Sequence, residues 1–456
     1  MLYSLLRRAA QVALRWYYAD VVVQGRERMP AHGPVLLVAN HPNALVDAMV
    51  IAATVRRRVL VTAKATLFQG PLLAAFLRSA GVVPLRRTQD ERAAARRMAA
   101  PAARNSDTFR LVTAALARGG VVLVFPEGTS HDAPALAPLK SGAARMALGA
   151  SSAGVRGLHV VPVGLIFEAK ERPRSRVVVR LGQPIDVDAW LATAKANNSS
   201  ALTAEITAGL RRVTLNFASE ARARRAIDLA RALAAITGGL PTLAQPREFA
   251  READLALRIE AASDALLDAP ESVVRQADAF IARVEMFQTR LAERNVTLAE
   301  LHISPRARHG LRFAVREGAV ITLALPAAAV GRVAHWLPLH LARAVAMRTL
   351  VRDPSRDQPA MRTMLLGAGA LVLWYVALAA AFTHWFGGGS ALLWLVGIFL
   401  AARVDVLLRD RLRRARQRAR TYFALRADPA LRAGALQESK RVLAEAVALE
   451  RALTMR

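Results

Sequence analysis

Residues 122–148 read VLVFPEGTSHDAPALAPLKSGAARMAL and predict a β-strand, a tight turn and a helix in succession. The apolar run ends in a turn over Pro126–Thr129, and the helix is expected to begin near Ser141. In this turn Gly128 would let a ligand approach the backbone, and Glu127 offers a carboxylate to hydroxyl groups. Lys140 could meet an anionic phosphate. The stretch therefore predicts a binding loop at the carboxyl end of a strand.

A second candidate block lies upstream, where the apolar run PVLLVA leads into NHPNALVDAM, residues 40–49. His41 follows the strand directly, at the position where α/β sheets place catalytic groups. Asp47 is six residues further on, so a turn at Pro42 and Asn43 must bring it back beneath the imidazole. There an aspartate could hold one ring nitrogen as a donor and leave the other as a base. A structural histidine is the alternative.

Apolar runs alternate with longer helical stretches between residues 21 and 215. Strands spaced by helices indicate an α/β domain, a sheet flanked by helices. One run, GVVPLRR at 81–87, ends in Arg86 and Arg87. Two arginines at a strand end suit a phosphate, and solvated charges are the alternative. The predicted strands are Pro34–Ala39, Val59–Ala63, Gly81–Leu85, Val121–Phe125, His159–Ile166 and Val177–Leu181.

Four further regions surround the predicted domain. Residues 1–20 carry arginines on one side and apolar side chains on the other, which predicts an interfacial helix or a helix packed on the domain. Residues 216–315 repeat Leu and Ala at helical spacing without strand signals. Residues 316–410 are predicted to be a membrane region, and residues 411–456 a basic helical tail.

The membrane region contains the uncharged stretch Met364–Thr383, which is long enough to cross a bilayer. With a turn at Gly387–Gly389, residues 364–408 form a predicted hairpin, and two buried core helices are the alternative. Arginines flank the hairpin on both sides, which places the α/β domain and the carboxyl terminus on the cytoplasmic face of the cell membrane. An earlier apolar run, 318–331, contains Pro326 and is predicted to be interfacial or re-entrant.

The composition narrows the possible partners. The chain has 456 residues, 54% of them hydrophobic, and a formal charge of +29. This charge requires an anionic partner, either nucleic acid or acidic lipid. The run RDRLRRARQRAR, 409–420, has no interleaved aromatic residues for base stacking and follows the hairpin, which favours anionic membrane lipids and no nucleic acid. The absence of cysteine excludes a disulfide framework and a Cys nucleophile.

Four blocks together resemble a known family. NHPNALVDAM, GVVPLRR, FPEGTSH and VVPVGL occur in the order and spacing of the four motifs of the glycerolipid acyltransferase superfamily. The resemblance covers about residues 21–210 and implies a mixed sheet flanked by helices. FPEGTSHD and LAPLKSG are most similar to the glycerol-3-phosphate/dihydroxyacetone-phosphate acyltransferase branch. The family usually has four residues between its catalytic His and Asp, whereas this chain has five.

The resemblance implies roles for individual residues. His41 resembles the general base that removes a proton from the acceptor hydroxyl, and Asp47 resembles its orienting partner. Arg87 is the motif arginine when the block is aligned through Pro84, and either it or Arg86 would bind the acceptor phosphate. The other implied positions are Glu127 and Gly128 for the acceptor, Thr129 and Ser130 beside them, and Pro162, which helps to shape the acyl pocket.

The implied reaction is direct attack of a glycerol hydroxyl on an acyl thioester. Acyl-CoA or acyl carrier protein would be the co-substrate, with no cofactor and no metal ion. Glycerol 3-phosphate is the expected acceptor, and 1-acylglycerol 3-phosphate or another lysophospholipid is the alternative, because both offer a hydroxyl beside a phosphate. A serine hydrolase is disfavoured since no serine lies in a G-x-S-x-G elbow. A non-enzymatic basic membrane scaffold would explain the charge but not the complete set of motifs.

Overall fold

The computed structural model describes residues 2–64, 71–85, 105–193, 198–238, 249–350 and 359–454. These residues fall into two compact units. The first is Met1–Ala218 with Asp353–Met364, and the second is Ser219–Arg352 with Leu365–Arg456. The predicted end of the α/β domain at residue 215 lies close to the end of the first unit.

The first unit is built on one mixed sheet, as the sequence predicts. Its strands are β1 (Asp20–Gln24), β2 (Val35–Ala39), β3 (Val59–Lys64), β4 (Val82–Leu85), β5 (Val121–Val124), β6 (His159–Phe167), β7 (Arg176–Leu181) and β8 (Ile185–Asp186). Their order is β1-β7-β6-β2-β5-β3-β4, with β8 beside β6. β6 runs antiparallel to β7 and β8, and the other pairs are parallel. The sequence prediction misses β1, a half-buried edge strand, and the two-residue β8.

Helices cover both faces of this sheet. They are α1 (Leu2–Tyr17), α2 (Leu45–Thr54), α3 (Pro71–Ser79), α4 (Asn105–Ala117), α5 (Gly142–Ser152), α6 (Val187–Thr193) and α7 (Ser199–Arg211). Neighbouring strand residues point to opposite faces. Leu37 of β2 therefore packs in the core that contains α1 and α2, whereas Leu36 packs in the core that contains α4, α5 and α7. Packing on both faces fixes the central strand and the residues that follow it.

Helix α1 packs on the first unit along one face. Leu14 and Tyr17 are buried, and the Arg7 guanidinium donates to the carbonyls of Val55 and Arg56 beyond the carboxyl end of α2. The arginine thus joins α1 to the turn that follows α2. This geometry favours the alternative of a helix packed on the domain, and an interfacial position for its exposed side stays a prediction.

The second unit is helical. Its helices are α8 (Glu220–Thr237), α9 (Phe249–Ala265), α10 (Glu271–Glu293), α11 (Ala307–Leu350), α12 (Pro359–Phe386), α13 (Gly388–Ala427) and α14 (Pro429–Thr454). Leu233, Phe280 and Val442 join α8, α10 and α14 in a buried core. The first residues of α12 belong to the first unit, where Met364 packs against the core that contains α2.

Three helices of the described residues are long and apolar enough to cross a membrane, which indicates membrane association. The candidate spans are Ala307–Val345, Leu366–Phe386 and Gly388–Ala427. The re-entrant form predicted for residues 318–331 is wrong, because α11 continues as a helix through Pro326 and Pro338. Apolar helices tolerate proline where neighbouring groups satisfy the freed carbonyl. An interfacial position for this run stays a prediction. The predicted boundary at residue 410 falls inside α13, which is continuous there.

Helices α11 and α13 pack side by side in opposite directions. A Cβ on Gly310 would lie 2.5 Å from the ring of Tyr422, and a Cβ on Gly331 would lie 2.3 Å from the backbone of Ala401. Two glycines on one helix therefore allow close approach of the other. The start of α11 and the end of α13 consequently lie at the same end of this helix pair.

Candidate active site

His41 and Asp47 form the pair that the sequence predicts. β2 ends at Ala39, and His41 lies two residues beyond the end of this central strand. The His41 Nδ1 lies 2.9 Å from Asp47 Oδ2, which also accepts a hydrogen bond from the Asn43 N–H at 2.7 Å. Because this oxygen is an acceptor, the imidazole carries its proton on Nδ1. Nε2 is then the basic nitrogen.

The surroundings of the pair are buried and aromatic. Asp47 is fully buried in the first turn of α2. Burial raises the pKa of its carboxyl group, and the hydrogen bond with His41 opposes that rise. The His41 ring is 13% exposed and stacks on Phe125, with ring centroids 4.0 Å apart. The imidazole is therefore held between an orienting carboxylate and a flat apolar ring.

A tight turn absorbs the additional residue between His41 and Asp47. The Val46 N–H donates to Asn43 O at 3.1 Å and closes the turn. At the first central position Ala44 has φ 48° and ψ −129°, a conformation that glycine usually occupies in type II′ turns. A non-glycine residue in such a conformation costs about 1–3 kcal/mol. The strained turn brings Asp47 beneath the imidazole despite the longer spacing.

Replacing Ala44 by glycine is expected to stabilise the protein. Glycine adopts positive φ without a Cβ penalty, so the free energy of unfolding should rise by about 1 kcal/mol. The thermal midpoint of the purified protein measures this change. Leu45→Gly, in the same turn, is the control and should lower the midpoint because Leu45 begins α2 with ordinary helical geometry. A lower midpoint for Ala44→Gly would contradict the inferred strain.

Glu127 connects the loop after β5 to the turn after β2. Its Oε1 accepts a hydrogen bond from the His41 N–H at 2.8 Å. Its Oε2 accepts from the Ala137 N–H at 2.9 Å and contacts the His131 ring. The carboxylate is buried, and its hydrogen bond raises the pKa of His131. Glu127 therefore fixes the backbone of His41, while its direct contact with an acceptor stays a prediction.

Gly128 turns the chain with φ 79° and makes room for Lys140. A Cβ at position 128 would lie 2.7 Å from the Lys140 Nζ, so the lysine side chain covers this glycine. The Lys140 N–H donates to Pro126 O at 2.9 Å and closes the loop. Thr129 is exposed and Ser130 is half-buried. The structure thus brings an ammonium group to the turn that the sequence predicts as a binding loop.

Three predicted residues are not among those that the structure brings to this site. Arg86 and Arg87 lie outside the described residues, directly after the edge strand β4. Pro162 lies inside β6, and its ring faces Gly209 of α7. Helix α7 packs on the sheet face opposite to α2, which carries Asp47. Pro162 is therefore part of the opposite core, and its role in an acyl pocket stays a prediction.

Four residues support the site beyond those that were predicted. Phe125 stacks on the imidazole, Asn43 fixes Asp47 through its N–H, and His131 contacts Glu127. Lys170 donates from Nζ to the carbonyl of Pro42 at 2.6 Å. The first three belong to the motif blocks, so a sequence search could have found them. Lys170 lies outside every block, and no sequence signal marks it.

The arrangement is suited to general-base chemistry. A basic Nε2, an imidazole oriented through Nδ1 and a buried carboxylate that can stabilise the imidazolium are the components of such a site. Within the described ranges, no three His, Cys, Asp or Glu side chains are grouped as possible metal ligands. The fold and the site together define an α/β protein with a His–Asp base at the carboxyl ends of its parallel strands.

Comparison with known proteins narrows this class. Residues 20–166 match the protein-family model described as Acyltransferase. Over 85 residues the chain is 47% identical to glycerol-3-phosphate O-acyltransferase 2 of Saccharomyces cerevisiae, covering 18% of this chain and 11% of that protein. Over 73 residues it is 41% identical to glycerol-3-phosphate O-acyltransferase 1 of the same yeast, covering 16% and 10%. Residues 20–166 thus match the Acyltransferase family model, and both of these partly matching yeast relatives bear the name glycerol-3-phosphate O-acyltransferase.

One solved structure is also similar. It is the 1-acyl-sn-glycerophosphate acyltransferase PlsC from Thermotoga maritima, with 20% identity and a TM-score of 0.34 over 46% of this chain and 77% of that chain. The chain spans only about a tenth of the length of the two yeast relatives. The substrate of the whole protein is therefore a matter for proposal.

Proposed function

We propose that this protein is a membrane-bound O-acyltransferase that transfers a fatty acyl group from an acyl thioester to a hydroxyl of glycerol 3-phosphate in phospholipid synthesis. The observation that carries the proposal is the His41–Asp47 pair, joined at 2.9 Å beyond the central strand of an acyltransferase domain. The printed names of the two yeast relatives support glycerol 3-phosphate as the acceptor.

In the proposed reaction, His41 Nε2 takes the proton of the acceptor hydroxyl while the hydroxyl oxygen attacks the thioester carbonyl. The carbon–sulfur bond then breaks, and the leaving thiolate takes the proton from the imidazolium. Asp47 stabilises the imidazolium between these steps. Lys140, together with Arg86 and Arg87, is the proposed set of phosphate ligands. Acyl-CoA or acyl carrier protein serves as co-substrate, and the proposal includes no other cofactor and no metal ion.

A panel of acceptors tests the function. Membranes containing the full chain are incubated with labelled acyl-CoA and glycerol 3-phosphate, dihydroxyacetone phosphate, 1-acylglycerol 3-phosphate or another lysophospholipid. Membranes that contain the His41→Ala variant provide the background. We expect His41-dependent labelling of glycerol 3-phosphate to exceed that of the other acceptors. Preferred labelling of a lysophospholipid would contradict the acceptor, and no His41-dependent labelling with any acceptor would contradict the reaction.

We also propose that the catalytic domain lies on the cytoplasmic face of the cell membrane. The three long apolar helices of the described residues support a membrane location for the protein. The arginines around the apolar helices support the cytoplasmic side.

Reporter fusions after residue 306 and after Arg456 are expected to show the same orientation. The reason is the antiparallel packing of α11 and α13, in which Arg411 Nε donates to Glu317 Oε2 at 2.6 Å. This ion pair holds the charged ends of both helices together on one side. A cytoplasmic signal at one position and an exported signal at the other would contradict the packing.

Anionic membrane lipids are the proposed partner of α13, and nucleic acid is not. Arg413, Arg416 and Arg420 are exposed, and their spacing places them on one side of the helix. Arginine forms two parallel hydrogen bonds with a phosphate, and each basic residue near an anionic surface contributes about 1 kcal/mol. These three arginines lie on the carboxyl side of the apolar part of α13, in the same continuous helix.

Replacing these three arginines by glutamine should weaken binding of phosphatidylglycerol about 10²-fold, from about 1 kcal/mol per arginine. Purified protein in detergent is titrated with phosphatidylglycerol or phosphatidylcholine, and native mass spectrometry counts the bound lipids. The control replaces three exposed arginines of the same unit, Arg222, Arg224 and Arg225, with the same loss of charge. Equal losses in both triple variants would mean that only net charge matters. Tighter binding of a single-stranded oligonucleotide than of phosphatidylglycerol would favour nucleic acid as the partner of α13.

A further inference from the structure

The turn between β6 and β7 carries a lysine that contacts both loops of the candidate active site. Lys170 Nζ donates to Pro42 O at 2.6 Å, in the turn that follows His41. The same ammonium forms an ion pair with Asp132, on the loop that carries Glu127. The lysine side chain is 17% exposed. One cation thus joins two segments that are far apart in sequence.

A second contact joins the turn between β6 and β7 to the strained backbone near Ala44. The Lys170 carbonyl accepts a hydrogen bond from Asn43 Nδ2 at 3.4 Å, and Ala44 with its positive φ is the next residue. Strained backbone persists only where surrounding contacts over-determine it. Glu127, on the loop after β5, holds the turn that follows His41 by accepting a hydrogen bond from the His41 N–H. Lys170 holds it from the side of β6 and β7.

The charge of Lys170 also acts on the orienting carboxylate. Burial raises the pKa of Asp47, and the positive charge of Lys170 works against that rise. Among the described residues, Asp132 pairs with this ammonium, and His131 lies close enough for the ammonium to disfavour its imidazolium. The Tyr18 hydroxyl, which accepts a hydrogen bond from Asn43 Nδ2, also faces Asp47. Removing the ammonium would therefore move protonation of Asp47 to higher pH.

We propose that Lys170 is a positioning residue for acyl transfer. Its ammonium ties the His41 turn to the Asp132 loop and so keeps the imidazole aligned on Asp47. The effect on the rate rests on the proposed function, whereas the effect on the turn does not depend on any substrate.

The test compares substitutions within one turn. Lys170→Met removes the ammonium, and Lys170→Arg keeps a cation that can donate to both Pro42 O and Asp132. The control is Arg172→Met, which removes the same charge from an exposed side chain of the same turn. Asp132→Asn removes the ion pair and leaves the bond to Pro42. Each full-length variant is assayed for kcat and acceptor KM across pH, and for hydrogen exchange of the backbone amides of residues 41–47.

In Lys170→Met we expect kcat to fall about 10²-fold, the cost of misplacing a catalytic group by about 1 Å, with little change in KM. The acid limb of kcat should move to higher pH, because ionised Asp47 loses a stabilising charge. Exchange at residues 41–47 should rise. Lys170→Arg should recover most of the rate, Asp132→Asn should lose part of it, and Arg172→Met should match the parent protein.

Two results would overturn the inference. One is unchanged exchange and unchanged kcat in Lys170→Met, and the other is an equal loss in Arg172→Met. If Lys170→Met does not fold, Asp132→Asn carries the test, and parental exchange and rate in that variant count against the inference. Faster exchange in Lys170→Met without acyl transfer by any variant would support the hold of Lys170 on the His41 turn and would contradict the proposed function.

Discussion

Replacing His41 by alanine is expected to lower kcat for acyl transfer about 10²–10⁴-fold, the contribution usual for a positioned general base. In the structure the imidazole stacks on Phe125 and carries its proton on Nδ1, so the variant lacks the Nε2 that the proposed mechanism uses as the base. The measurement is labelled acyl transfer to glycerol 3-phosphate at saturating donor. The variant should still fold and insert, because the His41 ring is at the surface of the core rather than within it.

The matched control for this experiment is His32→Ala. His32 is an exposed histidine of the same unit and precedes β2, at the opposite end of the strand from His41. Its replacement should leave kcat at the parental value. Substantial transfer by His41→Ala would mean that another group accepts the proton, and the proposed mechanism would be wrong.

Replacing Asp47 by asparagine is expected to lower kcat by up to about 10⁴-fold, by analogy with the orienting aspartate of serine proteases. Asp47 Oδ2 accepts hydrogen bonds from both His41 and the Asn43 N–H, whereas Oδ1 has no hydrogen-bond partner among the described residues. The asparagine amide can place its oxygen where Oδ2 lies in the parent and its nitrogen where Oδ1 lies. The turn then remains intact, and the variant loses the charge that stabilises the imidazolium.

Asp47→Ala separates the charge from the turn. It removes both hydrogen bonds, leaves the buried Asn43 N–H without its acceptor and should lower the free energy of unfolding by about 1–3 kcal/mol as well. Comparable kcat losses in the two variants, with instability only in Asp47→Ala, are the expected result. A kcat within about 10-fold of the parent in Asp47→Asn would contradict the orienting role assigned by analogy.

Local sequence patterns were sufficient for the fold class and for the contact between His41 and Asp47, whose catalytic role stays a prediction. Long buried strands such as β2, β5 and β6 can be recognised from their continuous apolar residues. The residues directly after a strand must lie at its end. The sequence therefore put His41 and Glu127 each directly after a strand, and the structure brings them together through the hydrogen bond between the His41 N–H and the Glu127 carboxylate. The half-buried β1 escaped prediction because its five residues are not part of a long buried run.

The sequence by itself determined six of the eight described strands, the order of the motif blocks and the apolar helices, because these follow from residues that are neighbours along the chain. Only the tertiary structure decided that Glu127 holds the backbone of His41, that Lys170 joins two loops, and that α11 pairs with α13. Each of these contacts links residues far apart in sequence. Their partners are set by strand order and helix packing, which local periodicity does not specify, since hydrogen bonds and close packing depend on distances in space.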